Sequence, residues 1–235
     1  MKTKILPKLG INQSRQNSAA GGGVRVVAPE SLDGLPPDSP EARASRRDLR
    51  VLNGLLGTNA WFGGVMRERV RAGEAVLEIG AGTGELARHL RPVAPGLAGL
   101  DLLARPGDWP ATAPWFQTDV LSFADWDRFP VVIGNLFFHH FDPAQLAGLG
   151  AQLGGARMII ANEPLRTTLT ARLFSLVSPL MGAHPVTRHD GRISIAAGFR
   201  HDELARLLQL DPEVWHWRAE ETWLGANRLV AERRS

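Results

Sequence analysis

The sequence VLEIGAGTG at residues 76–84 decides the fold. Its first four residues are apolar apart from Glu78, which is typical of a buried strand, and the glycines that follow permit a tight turn into a helix. In open α/β sheets, ligands bind beyond the carboxyl ends of the strands, and the first strand-to-helix turn is a favoured place. The stretch therefore predicts a strand of a doubly wound sheet with a ligand site at its end.

Short apolar runs alternate with helical segments from residue 74 onward. The candidate strands are Ala75–Ile79, Ala98–Leu102, Trp115–Thr118, Val131–Asn135 and Met158–Asn162, and the candidate helices lie near Gly84–Leu90, Phe123–Trp126 and Pro143–Leu153. This alternation predicts a mostly parallel sheet with helices on both faces. Val214–Glu220 and Arg228–Glu232, joined by a turn at Gly225, predict an antiparallel C-terminal pair that completes a seven-stranded sheet.

The first 38 residues differ from the rest in composition. They are rich in Gly, Ser, Pro and Asn and show no sustained hydrophobic period, so we expect a flexible N-terminal arm over residues 1–38. A single domain over residues 39–235 should begin with a helix at Ser39-Pro40-Glu41, which has the order of cap, proline and acid. A second helix is expected over Asn59–Val70.

Composition excludes several classes of protein. The chain has no cysteine, which excludes disulfides, thiolate nucleophiles and thiolate metal sites. It has neither an apolar run of the ~18 residues that span a bilayer nor a secretory signal, so we expect a cytoplasmic protein. The net charge is only +3 and all three lysines lie in the first eight residues, so no nucleic-acid partner is expected.

Two acidic residues follow the next two predicted strands. Asp101 ends the second strand, 21 residues after Gly80, where a carboxylate can accept hydrogen bonds from ribose hydroxyls. Asp119 follows the third strand, where it could accept from an adenine amino group. Either acid could instead cap a turn or a helix. Their occurrence after successive strands favours an adenosyl ligand over two unrelated caps.

At these residues the chain resembles the class I S-adenosylmethionine-dependent methyltransferases, over about residues 43–235. The stretch EIGAGTG at residues 78–84 looks like their first motif. The stretch GNLFFHHF at residues 134–141 is similar to the fourth-strand motif of small-molecule members, such as quinone and polyketide methyltransferases. The resemblance implies a Rossmann-like methyltransferase fold, S-adenosyl-L-methionine as cofactor and methyl transfer to a small-molecule acceptor.

The resemblance also implies a set of cofactor-binding residues. Gly80 and Gly82 would face the methionine portion, and Glu78 would lie near its amino end. Asp101 would be the ribose-binding acid and Asp119 the adenine-side acid. The remaining residues expected at the cofactor are Ala81, Leu102, Val120 and Asn135.

Three alternative functions compete with this interpretation. A nicotinamide dehydrogenase would need glycine at position 85, where this chain has Glu85, an acid that would repel a pyrophosphate. An adenine-type RNA methyltransferase would have a Pro-Tyr pair where this chain has Phe137-Phe138. The third alternative is a non-catalytic interaction protein that keeps the cofactor fold.

The acceptor is expected to be a phenolic, quinol or polyketide-like compound that is methylated on oxygen. Such an acceptor loses a proton, and the domain has no lysine, tyrosine or cysteine to take it, which leaves histidines and carboxylates as bases. His139 and His140, one of them expected to be structural, and His189, in a long loop after the helix Leu165–Leu180, are the catalytic candidates. No regular ligand spacing such as His-Glu-x-x-His appears, so no metal is expected.

The helix Leu165–Leu180 is unusually apolar. It either packs in the core or forms an apolar lid over the acceptor, and a lid of this kind could touch a membrane surface.

Overall fold

The computed structural model describes residues 23–234, which contain seven helices and seven strands. The helices are α1 (Pro40–Leu55), α2 (Thr58–Arg69), α3 (Glu85–Leu90), α4 (Pro143–Gln152), α5 (Thr168–Leu180), α6 (Pro185–Ala197) and α7 (Glu203–Leu207). The strands are β1 (Val76–Ile79), β2 (Ala98–Asp101), β3 (Trp115–Gln117), β4 (Val131–Asn135), β5 (Met158–Pro164), β6 (Trp215–Glu221) and β7 (Ala226–Arg233). In the described range, every helix is too short or too polar to cross a bilayer.

The strands form one sheet in the order β3-β2-β1-β4-β5-β7-β6. Strands β1 to β5 run parallel, whereas β7 is antiparallel to both β5 and β6. This arrangement confirms the predicted mostly parallel sheet with an antiparallel C-terminal strand. The strand order reverses between β1 and β4, and ligands bind at such a point in doubly wound sheets.

Helices cover both faces of the sheet because alternate residues of the buried strands point to opposite sides. Val132 of β4 packs in the same cluster as Leu146 of α4. Its neighbours Val131 and Ile133 join the opposite cluster, which contains Phe62 of α2. The continuous apolar runs of the sequence therefore correspond to strands that are buried on both faces.

The segment between β3 and β4 differs from the sequence prediction. Instead of a helix over Phe123–Trp126, it contains two 3-10 turns, Val120–Ser122 and Trp126–Arg128. Phe123 and Trp126 are both buried, with ring centroids 5.0 Å apart. These two aromatic side chains thus anchor an irregular connection to the core, and the predicted helix over Phe123–Trp126 is wrong.

The segment before α1 lies against the domain where it is described. Residues 1–22 of the predicted arm lie outside the described residues. Residues 23–34, which we call the strap, are joined to α6 by a hydrogen bond from Val26 N–H to the Ala196 carbonyl (3.1 Å). Arg25 also donates to the carbonyls of Ala197 (2.6 Å), Phe141 (2.8 Å) and His139 (2.9 Å). The domain boundary at residue 38 stays a prediction.

Most of the large apolar side chains of helix α5 are exposed. Ser178 is its one buried residue. The large hydrophobic side chains that are exposed on it are Leu169, Leu173, Leu176, Val177 and Leu180. The core-packing interpretation of this helix is therefore wrong for these five side chains.

Candidate functional site

Three glycines shape the turn after β1. Gly80, Gly82 and Gly84 have φ angles of +65°, +53° and +76°, in the left-handed region that residues with a Cβ rarely adopt. Ala81 N–H donates to the Leu100 carbonyl (3.2 Å), which fastens the turn to β2. The turn thus depends on glycine for its backbone path.

Asp101 ends β2 and reaches back to this turn. Its Oδ2 accepts from Gly82 N–H (2.7 Å), and its Oδ1 accepts from Leu103 N–H (2.8 Å). A carboxylate has about four acceptor sites in all. Asp101 therefore orders the glycine turn and retains acceptor capacity for a ligand.

Glu78 lies at the end of β1 in a position that excludes water. Its side chain is 3% exposed, and its Oε2 has no hydrogen-bond partner among the described residues. Burial, and then the charge of Asp101, raise the pKa of Glu78 to about 8, against a smaller opposing effect of Ala87 N–H. A buried carboxyl oxygen without a partner is costly, so this atom is a candidate for contact with a ligand.

Phe137 packs against Gly80 in this turn, whereas the space next to Gly82 is open. A Cβ built on Gly80 would lie 2.1 Å from Cδ2 of Phe137, whereas a Cβ on Gly82 would meet nothing within 4 Å. Gly80 is therefore required by the Phe137 ring, a contact that the spacing of the sequence does not reveal. The surface over Gly82 is free for a ligand.

The remaining residues expected at the cofactor have different surroundings. Asp119 is exposed and its Oδ1 accepts from Leu121 N–H (2.9 Å), as expected of a cap. Leu102 is 70% exposed beside Asp101, whereas Val120 is buried. Asn135 ends β4, where its Oδ1 accepts from Asn162 Nδ2 (2.9 Å).

Glu163 of β5 organises the chain that follows β4. Its Oε1 accepts from the N–H groups of Phe137 and Phe138, both at 2.9 Å. Its Oε2 lies 2.7 Å from His139 Nδ1, and the carboxylate is fully buried. Leu136, at φ +53°, adopts the strained turn that brings these N–H groups onto one carboxylate.

His139 lies between two carboxylates. Its ring is buried, with Nδ1 on Glu163 and Nε2 3.3 Å from Oε1 of Glu30 in the strap. Burial lowers the pKa of His139, but the hydrogen bonds to Glu163 and Glu30 outweigh it and raise the pKa to about 9. His139 is therefore protonated at neutral pH in this arrangement, and a protonated imidazole cannot act as a general base.

His140 is the more accessible histidine of the pair, with 29% of its side chain exposed. Burial, and then the charge of His139, lower the pKa of His140. Its Nδ1 lies 3.6 Å from Asp33 Oδ2 in the strap. Sequence reasoning missed the role of the strap because no local pattern links Glu30 to a histidine 109 residues later.

His189 is not in a loop. It lies in α6, which begins at Pro185 in its first turn with His184 as the cap, and its side chain is exposed. Pro185 occupies the first turn of this helix, the position where proline is best tolerated. The long loop predicted around His189 is therefore wrong. The neighbouring Asp190 accepts hydrogen bonds from the N–H groups of Ser31 and Leu32 in the strap, both at 2.9 Å.

Comparisons with known proteins give matches in structure. No model of a protein family matches the sequence, and neither does any curated protein. The plantazolicin methyltransferase BpumL in complex with SAH is similar, with a TM-score of 0.67 and 11% identity, over 94% of this chain and 96% of that chain. The plantazolicin methyltransferase BamL, with a triazolic desmethylPZN analog and SAH, has a TM-score of 0.66 and 9% identity, over 94% and 96% of the two chains.

A third structure, described as the conversion of a disulfide bond into a thioacetal group during echinomycin biosynthesis, is less similar. It has a TM-score of 0.51 and 19% identity, over 73% of this chain and 80% of that chain. At sequence identities this low, the structural similarity is evidence of a shared fold alone. The chain has the Rossmann-like methyltransferase fold.

Proposed function

We propose that the chain is an S-adenosyl-L-methionine-dependent methyltransferase that acts on a small-molecule acceptor. The observation that carries this proposal is the arrangement of Glu78, the glycine turn and Asp101 at the point where the strand order reverses. Two of the similar structures, BpumL and BamL, are methyltransferases in complex with SAH, which supports the same assignment.

The residues at this point fit the proposed cofactor. Asp101 has acceptor capacity left for ribose hydroxyls, and the orphaned Oε2 of Glu78 is suited to a cationic amino group. The space over Gly82 lets a ligand approach the backbone. S-adenosyl-L-methionine, when bound, supplies a methyl group that is already activated as a sulfonium. The chain then has to align the acceptor and exclude water.

The sheet argues against a dinucleotide at this site. The dinucleotide-binding order is 3-2-1-4-5-6, whereas this sheet inserts the antiparallel β7 between β5 and β6. Repulsion of a pyrophosphate by Glu85 is a weaker argument than the sequence suggests. Glu85 lies 3.1 Å from both Arg50 Nη1 and Arg88 Nη1, and these two positive charges offset its negative charge. The strand order is the stronger reason to reject a dehydrogenase.

The proposed acceptor is a phenolic, quinol or polyketide-like compound that is methylated on oxygen. His139 and His140 follow β4, whose carboxyl end lies at the same edge of the sheet as the glycine turn. We assign them to the acceptor, with His140 as the accessible member and His139 held in place by Glu163.

Calorimetry with SAH tests the cofactor assignment. Asp101→Ala should weaken binding at least tenfold, or ~1.4 kcal/mol, because hydrogen bonds to a charged acceptor are lost. Asp125→Ala is the matched control, since Asp125 forms a surface ion pair with Arg128 (2.9 Å) and such pairs contribute little. Equal affinity of wild type and Asp101→Ala would refute the ribose assignment.

A methyl-transfer screen over phenols, quinols and polyketide-like compounds tests the acceptor class. Turnover should appear with one of them and fall in His140→Ala while the affinity for SAH is unchanged. Turnover that instead requires RNA and falls with salt would indicate the RNA alternative. Tight SAH binding without turnover on any acceptor would indicate a non-catalytic protein.

A further inference from the structure

Three potential metal ligands meet where the strap crosses the end of β4. They are Glu30 of the strap and the adjacent His139 and His140, and one ligand atom of each lies within 4.8 Å of the other two. The two imidazole rings are in contact, with centroids 4.2 Å apart and planes inclined by 34°.

The distance between His139 Nε2 and Glu30 Oε1 matches the distance between two ligand atoms of a tetrahedral zinc site. Zinc bonds of about 2.0–2.1 Å at tetrahedral angles place ligand atoms about 3.3–3.4 Å apart. His139 Nε2 and Glu30 Oε1 are 3.3 Å apart. These two atoms could thus contact one ion that takes the place of the proton on His139 Nε2, and binding of the ion would release that proton.

Carboxylates behind the histidines complete the arrangement. Glu163 holds His139 Nδ1 at 2.7 Å, so that Nε2 is the nitrogen left for an ion. Asp33 Oδ2 lies 3.6 Å from His140 Nδ1, which is beyond hydrogen-bond distance, and so adds a negative charge near that ring. Metal-binding histidines almost always have such a partner on the other ring nitrogen, which fixes the tautomer.

We propose that Glu30, His139 and His140 bind a divalent transition-metal ion of the zinc type. Two imidazoles and one carboxylate suit zinc and its neighbours, whereas magnesium prefers oxygen ligands throughout. Three protein ligands leave a fourth position for water or for an oxygen of a bound molecule. The proposal does not depend on methyl transfer, because it concerns binding of the ion alone.

The test is a titration of the full-length chain with zinc at pH 7.5, after removal of any affinity tag and of bound metals with a chelator. Wild type should bind one Zn²⁺ per chain. Glu30→Gln and His140→Ala should each weaken binding at least about 100-fold, since even outer-shell partners change metal affinity by 10–100-fold. His216→Ala, at an exposed histidine of β6, should bind as wild type does.

Circular dichroism of each variant checks that it is folded. Replacement of His140 should disturb the fold little, because its side chain is partly exposed. Zinc should also raise the melting temperature of wild type and of His216→Ala but not that of the two ligand variants. Absence of saturable binding, or equal binding by wild type, Glu30→Gln and His140→Ala, would overturn the proposal.

Discussion

Replacement of Glu78 by glutamine should change how the stability of the protein depends on pH. The carboxyl is buried at the end of β1, and its Oε2 has no partner among the described residues. Its pKa is raised from 4.5 to about 8, first by burial and then by the charge of Asp101. The folded state therefore binds this proton more tightly than the unfolded chain does.

The sign and the size of the effect follow from this difference. Because the pKa of Glu78 is raised on folding, its protonated form stabilises the folded state. This stabilisation is complete below pH 4.5 and is lost as the pH rises to about 8. At about 1.4 kcal/mol per pKa unit, the loss is on the order of 5 kcal/mol. Glu78→Gln cannot ionise and should escape this loss, so the variant should gain stability relative to wild type between these pH values.

Urea unfolding of the cofactor-free protein at pH 5, 7 and 9, followed by circular dichroism, measures the difference. The free energy of unfolding of Glu78→Gln minus that of wild type should rise through this range. Glu213→Gln, at an exposed carboxylate before β6, is the control and should give a constant difference. A difference for Glu78→Gln that does not change with pH would refute the assignment of a buried, protonated carboxyl.

Three further predictions follow from the packing and the charges. Gly150→Ala should lower the free energy of unfolding in urea by about 3 kcal/mol or more, because its Cβ would lie 1.7 Å from the Leu208 carbonyl oxygen. Gly148→Ala, in the same helix with open space around it, is the control and should raise the free energy of unfolding by about 0.5–1 kcal/mol. A Gly150→Ala variant more stable than Gly148→Ala would contradict the α4–α7 contact. Arg25→Ala should speed amide hydrogen exchange in the strap, since its guanidinium donates to three carbonyls; unchanged protection would contradict this anchor. Binding of S-adenosyl-L-methionine at pH 7 should release a proton from Glu78, because a nearby ammonium favours the carboxylate; a binding enthalpy that is the same in phosphate and Tris buffers would argue against it.

The sheet could be predicted because its signals are local. The run at residues 76–84 combines an apolar strand with glycines, and each of the three glycines has a positive φ in the structure. Gly225, which predicts the turn between β6 and β7, has a φ of +95° in the structure. Such patterns depend on backbone geometry, which a single stretch of sequence encodes.

The site at the end of β4 could not be predicted in full because its partners come from distant segments. Glu30 is separated from His139 by 109 residues. Its segment has the composition of a linker, and only the tertiary fold brings it to the histidines. His189 shows the opposite error, since the expected long loop around it is the helix Pro185–Ala197.

The most direct test of the central claim is a calorimetric titration of the wild-type chain with SAH and, in a separate experiment, with NAD. The account predicts saturable binding of one SAH per chain and no binding of NAD, since the glycine turn, Asp101 and Glu78 are suited to a phosphate-free adenosyl ligand. Binding of NAD with no affinity for SAH would contradict it.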